Sequence, residues 1–572
     1  MIKEKIQTII KKSLIEVIKE QYWNIPQKLN IPLNIPPDKE YGDYSSSLPL
    51  VLSKLIKENP LSIARLLLAQ IEKNKINIFT KVEVAPPGYL NFYLQPESLQ
   101  KDLKNITPNL KNHKNAKQTI IVEYSSPNIA KPMHIGHLRS TIIGETLANL
   151  YKALGYKVIR WNYLGDWGTQ FGKLIVAYKL WGNKDEVKKN PINTLLTLYQ
   201  KFHQESKNNL QLESLAQQEF KKLEQGDKTN QKLWIWFKKE SLKEFQFLYQ
   251  LLGIKFDIVN GESDFEKDLL PLINFLKKKK LTQKSEGALI ISLDSFQLPP
   301  ALLQKSDEAS LYLTRDLASL IFRIKKYRPQ KILYVVGNEQ DLYFKQLFTL
   351  AQILHLNPKT ELIHVKFGLV LNSNKKKFST RTGELISLKD VIDQAFQTAF
   401  QIVSQKHSSW PKQKQNILAQ KLALGALKFN NLKSLRTADV VFDWEQMLNF
   451  KGGSSVYLQY TYARLNKILL RANKIGPSDS SLLNHSLELE LIKILLNFPE
   501  AVQKSAEEYA PHLLVNYLLS LADLANNYYE QVPILKENIK KRKNAQLLLL
   551  KKIILIFQQG LSILGIESLK EI

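Results

Sequence analysis

VEYSSPNIAKPMHIGHLRSTIIGE, residues Val122 to Glu145, holds the change of pattern on which the fold turns. The apolar, β-branched run Thr119 to Val122 leads into a loop of Ser, Pro and Asn, which gives way to a helical pattern through Leu154. Strand, loop and helix in that order form the opening unit of an α/β sheet. His134 and His137 stand three apart where the helix should begin, so their imidazoles project from its first turn on neighbouring faces. The unpaired N–H groups and positive dipole end of a helix start favour a phosphate there. Gly136 lies between the histidines and leaves room for a flat ring to approach the backbone. Together these features describe a cradle for a nucleoside triphosphate. Taken alone, two histidines at a helix start can equally be caps, and a metal reading is weaker because no third ligand is evident nearby.

Outward from this unit, Tyr156 to Trp161, Lys331 to Gly337 and Leu362 to Leu371 are further short apolar strands separated by helical patterns. That alternation predicts a doubly wound, Rossmann-like α/β domain with a parallel sheet over residues 118–440. The polar, Lys-rich helical stretch at about 183–240 reads as an insertion into it. Residues 1–110 predict an N-terminal α+β domain. It opens on a helix with Ile2, Ile6, Ile9, Ile10, Leu14, Val17 and Ile18 at helical spacing, continues with a second helix from about Leu48 to Lys73, and ends in the alternating KVEVAPPGYLNFYL. Lys111 to Gln118 reads as a linker. From about Ile417 onward only helical patterning is present, which predicts an all-α domain over 441–572 with the basic cluster Lys540, Lys541, Arg542 and Lys543 near its end.

The chain has 572 residues, 81 Lys plus Arg against 53 Asp plus Glu, a formal charge of +28, and no cysteine. Its 44% hydrophobic content is ample for several cores and excludes a wholly disordered chain. The missing cysteine excludes disulfides, thiolate nucleophiles and every Cys-containing zinc or iron–sulfur site. Catalysis is left to His, carboxylates, hydroxyls, Lys, Arg or a non-thiolate metal. The positive excess points to a polyanion, with nucleic acid first among the candidates, although an AT-biased genome also enriches Lys, Asn and Ile. The greasiest run, Ile553 to Ile566, has 14 residues and two glutamines, short of the ~20 that span a bilayer. No export signal is visible at the N-terminus, and the expectation is a cytoplasmic protein with no membrane partner.

His134-Ile135-Gly136-His137 is identical to the HIGH signature of class I aminoacyl-tRNA synthetases and sits between the first strand and the first helix. The longer block SSPNIAKPMHIGHLRSTIIGE, followed by WNYLGDWGTQFG (Trp161 to Gly172), closely resembles arginyl-tRNA synthetases. LYLTRDLA (Leu311 to Ala318) and VVGNEQDLYF (Val335 to Phe344) resemble the two arginine-pocket segments of that family. FDWEQMLNFKGGSSVYLQYTYARLNKIL (Phe442 to Leu469) resembles the entry into its C-terminal all-α anticodon-binding bundle, and YGDYSSSLPLVLSKL with PGYLNFYL resembles its extra N-terminal domain, which implies contact with the tRNA elbow.

The resemblance implies ATP-dependent activation of L-arginine and transfer to tRNA(Arg), with Mg2+ on the nucleotide, no zinc, and a monomer as the common state. It implies that bound tRNA is needed for activation. Arginine-binding positions fall on Glu123, Ser125, Asn128, His137, Tyr312, Asp316 and Gln340. A carboxylate such as Asp316 can accept two parallel hydrogen bonds from a planar guanidinium, a geometry lysine cannot copy. ATP-binding positions fall on His134, Gly136, His137, Lys377, Phe378 and Ser379, with Lys377 and Arg381 also catalytic. One motif departs from the class: the KMSKS-like loop reads Lys377-Phe378-Ser379-Thr380-Arg381, with Thr380 where a second lysine is usual. The family suggests Lys131 as the substitute that steadies charge on the phosphates. Tyr457, Gln459, Tyr460 and Arg464 are the expected tRNA-binding residues, suited to stacking on unpaired bases and holding phosphates; Tyr462 belongs to the same aromatic run. A noncatalytic RNA-binding relative should have lost one of His134, His137 or Asp316, and all three are present. The N- and C-terminal modules count against a nucleotidyltransferase that does not act on tRNA.

Overall fold

The computed structural model describes residues 2–26, 29–74, 77–305, 312–371, 386–449, 452–472 and 474–572. Two compact units emerge. One comprises Met1–Pro108, Arg464–Pro499 and Ser520–Phe557, the other Asn109–Ala463, Glu500–Leu519 and Gln558–Ile572.

In the first unit the amphipathic helix Ile2–Gln21 buries Ile2, Ile6, Ile10, Leu14 and Val17, the spacing read from the sequence. It packs on helix Pro60–Lys73, which covers an antiparallel sheet ordered Tyr44–Ser46, Tyr89–Leu94, Phe79–Ala85. This segment does not stand alone. Buried Gln100 donates its amide to the carbonyls of Ser481 (3.3 Å) and Leu483 (3.1 Å), and Tyr44 donates its hydroxyl to Asn497 (2.7 Å). Helices from the far end of the chain therefore complete its core.

The second unit is built on a five-stranded, all-parallel sheet. Its order from edge to edge is Glu361–His364, Lys331–Tyr334, Thr119–Glu123, Lys157–Leu164, Ile258–Gly261. The strand Thr119–Glu123 is central and apolar, with Ile120, Ile121 and Val122 at zero exposure, as a strand covered on both faces must be. Chain order reverses beside it: the next two strands of the sheet, Lys157–Leu164 and Ile258–Gly261, lie on one side and the last two, Lys331–Tyr334 and Glu361–His364, on the other. A doubly wound sheet opens a crevice at such a point, beyond the carboxyl ends of its strands.

Three elements differ from expectation. The helix expected from about Leu48 to Lys73 is two, Leu48–Ile56 and Pro60–Lys73, parted at Lys57 (φ 57°). Leu362 to Leu371 is not one strand. Glu361–His364 ends at the sheet, the chain turns where Gly368 donates to the Arg436 carbonyl (2.9 Å), and Val370–Leu371 pairs instead with Val440–Val441. A Cβ at Gly368 would lie 2.6 Å from the Ala438 carbonyl oxygen, so the approach needs a glycine. The insertion, Lys184–Lys189, Pro191–Glu205, Gln211–Glu224 and Lys228–Leu251, ends in a helix that runs well past residue 240. The strand Ile258–Gly261 and the small antiparallel sheet Gln283–Ser285, Ala288–Ile291, Ala301–Gln304 follow it.

Helix Lys540–Ile563 takes in most of the greasy run and, at 24 residues, is long and apolar enough to cross a membrane by length and composition alone. It corrects the shorter run picked out in the sequence. Sixty-one per cent of its most apolar window is nonetheless buried inside the protein, the placement of a core helix.

Helix Ile135–Ala153 packs on the central strand through Gly144, where a Cβ would stand 2.3 Å from both Cβ and Cγ of Tyr124. Gly144→Ala is expected to lower stability by about 1–3 kcal/mol in urea unfolding of the full chain, the range for overpacking a core. An unchanged midpoint would show that the helix can back away freely.

Candidate active site

Beyond Glu123 the chain enters a loop with three non-glycine residues in the left-handed region: Ser125 (φ 74°), Ser126 (φ 46°) and Ala130 (φ 61°). Each costs on the order of 1–3 kcal/mol and persists only where neighbours over-determine it. Here they do. The Ser125 N–H donates to Ser140 Oγ (2.9 Å), whose hydroxyl donates to the Val335 carbonyl (2.7 Å). The Ser126 N–H donates to Asn162 Oδ1 (3.2 Å), and the Ala130 N–H to Ser241 Oγ (2.9 Å). Ser125 Oγ also pairs with the Tyr249 hydroxyl at 2.7 Å.

The loop delivers His134 as the N-cap of helix Ile135–Ala153. The Gly136 N–H donates to His134 Nδ1 and the His134 N–H to His137 Nδ1, each at 3.1 Å, closing a reciprocal capping box. Both Nδ1 atoms are acceptors, so each neutral ring carries its proton on Nε2. Burial pushes the His134 pKa down to about 4 and, with the neighbouring ring adding to it, that of His137 to about 3. The capping role and the donor role are therefore compatible: one nitrogen of each ring caps, the other remains a neutral N–H donor. Gly136 serves the cap itself, since a Cβ there would sit 3.0 Å from His134 Cε1.

A cavity of about 670 Å³ opens at the sheet's reversal point. Glu123, Ser125, Asn128, His134, Gly136, His137, Tyr312, Asp316 and Gln340 all line it, so residues scattered over more than 200 positions meet in one place. Lys131 is not among the lining residues; its ammonium lies 5.0 Å over the ring of Tyr199 on the helical insertion. Lys377, Phe378, Ser379, Thr380 and Arg381 lie outside the described residues.

Asp316 accepts a hydrogen bond from the Tyr343 hydroxyl. Burial raises its pKa to about 6 against that hydrogen bond, and the charge of Glu123 adds to the rise. Glu123, also pushed up by burial, is ion-paired to Arg323, whose guanidinium lies 4.5 Å over Trp161 and 5.3 Å over Tyr163. Glu262, which the sequence reading missed, is buried just after strand Ile258–Gly261. Its pKa is pushed up to about 9, first by burial and then by the charge of Asp316, and its Oε2 has no hydrogen-bond partner among the described residues. The only sequence signal for it was a short apolar run, FDIVNG, ending at an acid.

Tyr457, Gln459, Tyr460 and Arg464 share helix Ser455–Ala472. Gln459 corrects its expected role: it has no exposed surface, and its amide donates to the Glu567 carbonyl at 2.9 Å, which places it in the interior. Tyr462 is likewise buried. Tyr457, Tyr460 and Arg464 are half-buried, and the Arg464 guanidinium lies 5.2 Å over Tyr529.

Comparison with known proteins adds three family matches: the catalytic domain of class I tRNA synthetases (R) over residues 99–444, the DALR anticodon binding domain over 458–572, and the arginyl tRNA synthetase N terminal domain over 4–94. An arginine–tRNA ligase of Clostridium botulinum is 38% identical over 545 residues, 94% of this chain and 95% of its own. That of Halothermothrix orenii is 38% identical over 98% of this chain and 99% of its own. The crystal structure of arginyl-tRNA synthetase from Plasmodium falciparum superposes with a TM-score of 0.85 at 25% identity, covering 100% of this chain and 99% of that one. With a signature helix capped by its own histidines at the reversal point of a parallel sheet, and relatives matched along nearly its whole length, the chain belongs to the arginyl-tRNA synthetases of class I.

Proposed function

We infer that the cavity at the sheet's reversal point is where L-arginine is activated by ATP and then passed to the 3′ end of tRNA(Arg). The observation that carries this reading is the presence, in one cavity, of two neutral imidazole donors at a helix N-terminus and the carboxylate of Asp316. In the first step an oxygen of the arginine carboxylate attacks the α-phosphorus of ATP, the bond to the bridging oxygen breaks, and pyrophosphate leaves. No protein base is needed, because that carboxylate is ionised at neutral pH. The Nε2–H groups of His134 and His137 hold phosphate oxygens as charge builds, preorganised donors that need not move at the moment of reaction. In the second step the terminal ribose hydroxyl of the tRNA attacks the adenylate carbonyl and AMP leaves.

Asp316 faces the guanidinium from the cavity lining, and we place Glu262, buried beyond the lining residues and coupled to Asp316, as its second partner. Two buried carboxylates that repel one another are both relieved by one planar cation. Ser125, Asn128, Tyr312 and Gln340 complete the arginine side, and Glu123 acts there through its pairing with Arg323. Mg2+ arrives on the nucleotide, and among the described residues no group of three His, Asp or Glu stands together that could hold a metal ion. The assignments of Lys131, Lys377, Phe378, Ser379 and Arg381 to ATP, and the need for bound tRNA in activation, rest on the resemblance. Tyr457, Tyr460 and Arg464 contact the tRNA within the C-terminal module at 441–572. Residues 1–110 contact it at the elbow, a division supported by the separate family matches on either side of the catalytic one. The enzyme works as a cytoplasmic monomer.

Pyrophosphate exchange with arginine, with and without tRNA, tests the activity; no arginine-dependent signal in either condition overturns it. His137→Ala is expected to slow adenylate formation by about 10²–10³-fold, the loss typical of one preorganised donor, while tRNA affinity stays near its original value. Equal losses in both would point to misfolding instead.

The acidic pair yields a second test. Glu262, with its pKa near 9, carries its proton at pH 7.5 in the free protein. A guanidinium beside it favours the charged form and drives that proton off, so arginine binding releases up to about one proton at this pH. Calorimetry in two buffers of different ionisation enthalpy reads the number, and Glu262→Gln should abolish it while raising the KM for arginine. Binding without proton release would remove Glu262 from the pocket.

A further inference from the structure

Helix Lys228–Leu251 turns one polar face toward the loops that carry the cavity. Trp234, Lys238, Ser241 and Tyr249 fall on that face at spacings of four, three and eight. Trp234 donates its indole N–H to the Asp166 carbonyl (2.8 Å), Ser241 takes the Ala130 N–H (2.9 Å), and Tyr249 meets Ser125 (2.7 Å). Lys238 makes the strongest contact, its ammonium 2.5 Å from Asp166 Oδ2.

Asp166 has no exposed surface, yet its carboxylate is fully engaged. Oδ1 accepts the Ser263 N–H (2.9 Å), and Oδ2 accepts the Ser263 hydroxyl (2.7 Å) as well as Lys238. The turn closes tightly round it: a Cβ on Gly261 would stand 2.4 Å from the Asp166 carboxylate. Between Gly261 and Ser263 sits Glu262. Ser263, just after that buried acid, is thus clamped on Asp166. Gly261, just before it, packs closely against the same carboxylate while its N–H donates to Asp264 (2.8 Å), and Asp166 in turn is held by a lysine from the helical insertion.

We propose that Lys238 and Asp166 are positioning residues for arginine selection, fixing the turn that presents the Glu262 carboxylate to the guanidinium. This rests on the reading of Glu262 as a guanidinium partner. Parallel hydrogen bonds to a planar cation tolerate little displacement, and an error of about 1 Å can cost on the order of 10²-fold in rate or affinity. The contact also gives the insertion a role in the pocket, through the last of its helices.

Steady-state pyrophosphate exchange on the full chain with tRNA tests the proposal. Lys238→Met is expected to raise the KM for arginine about tenfold or more, with the KM for ATP within about twofold and kcat at saturating arginine within about threefold. Lys238→Arg, which keeps the charge, should return the arginine KM to within about threefold of the original. Since Lys238→Met takes the counter-ion from the buried Asp166 carboxylate and so threatens folding, Ser263→Ala provides the milder test: it removes one hydrogen bond from the clamp and should raise the arginine KM about three- to tenfold with ATP unaffected. A parallel rise in both KM values, a fall in kcat alone, or an unchanged arginine KM in Ser263→Ala overturns the proposal. If Glu262→Gln raises the arginine KM while Ser263→Ala and Lys238→Met leave it unchanged, the clamp fails and Glu262 stands. If Glu262→Gln itself changes neither KM nor proton release, the reading of Glu262 fails and the clamp with it.

Discussion

The left-handed turn through Ser125, Ser126 and Ala130 is the constraint on which the catalytic unit depends. A central parallel strand has to hand over to a helix whose first turn faces the same crevice, and three L-residues must adopt an unfavourable backbone to make that reversal. The supports are four residues on three elements: Ser140 one helix on, Asn162 on the neighbouring strand, and Ser241 and Tyr249 on a helix more than 100 residues away. The signature histidines are in position only because the loop is held from all of these. This explains why an apparently peripheral helical insertion carries buried serine and tyrosine hydroxyls at all, since an unpartnered hydroxyl in a core is costly.

The second organising feature is a local imbalance of buried charge. Glu123, Asp316 and Glu262 lie close enough to perturb one another, while Arg323 is committed to Glu123 and stacked on Trp161. Arg315 sits nearby but pairs with Glu266 at 3.2 Å. Three carboxylates thus face one committed guanidinium; burial raises the pKa values of Asp316 and Glu262, and the charge of a neighbouring carboxylate adds to each rise. On the proposed assignment, the further cation is the substrate's guanidinium.

What was legible in the sequence is what local pattern encodes. The apolar run Thr119 to Val122, the loop and the two histidines read directly as strand, turn and helix start, because their spacing alone places them. Asp316 and Gln340 were found through flanking resemblance and do meet the histidines in the cavity. Glu262 was invisible because nothing around it is periodic or unusual; only the tertiary meeting with Asp316 makes it notable. Gln459 misled for the opposite reason. It stands among tyrosines and an arginine that look like a nucleic-acid surface, but helix Ser455–Ala472 is packed on more than one side, and periodicity cannot tell which face meets solvent when most positions are apolar or aromatic. Lys131 shows a third limit: three residues from His134 in sequence, its side chain is drawn to Tyr199 instead of the cavity.

These features together resolve a conflict built into the reaction. A cation and a polyanion must share one cavity of about 670 Å³. Fixed positive charge placed for the phosphates would repel the guanidinium, and at His134 and His137 there is none. Arg139, which lines the cavity, directs its Nη2 to the carbonyls of Arg436 (2.9 Å) and Ala438 (2.8 Å), and the signature imidazoles are kept neutral by burial. On the proposed assignment, the described residues that meet the phosphates offer N–H dipoles and a helix N-terminus, whose fields fall off faster with distance than that of a full charge, while Lys377 and Arg381, which the resemblance assigns to ATP, lie outside the described residues. The +28 excess belongs to the chain as a whole and attracts a polyanion such as tRNA over long range. On the proposed assignment, neutral histidines serve the arginine pocket as much as the ATP site, because protonating either ring would put a further cation into the cavity that accepts one from the substrate.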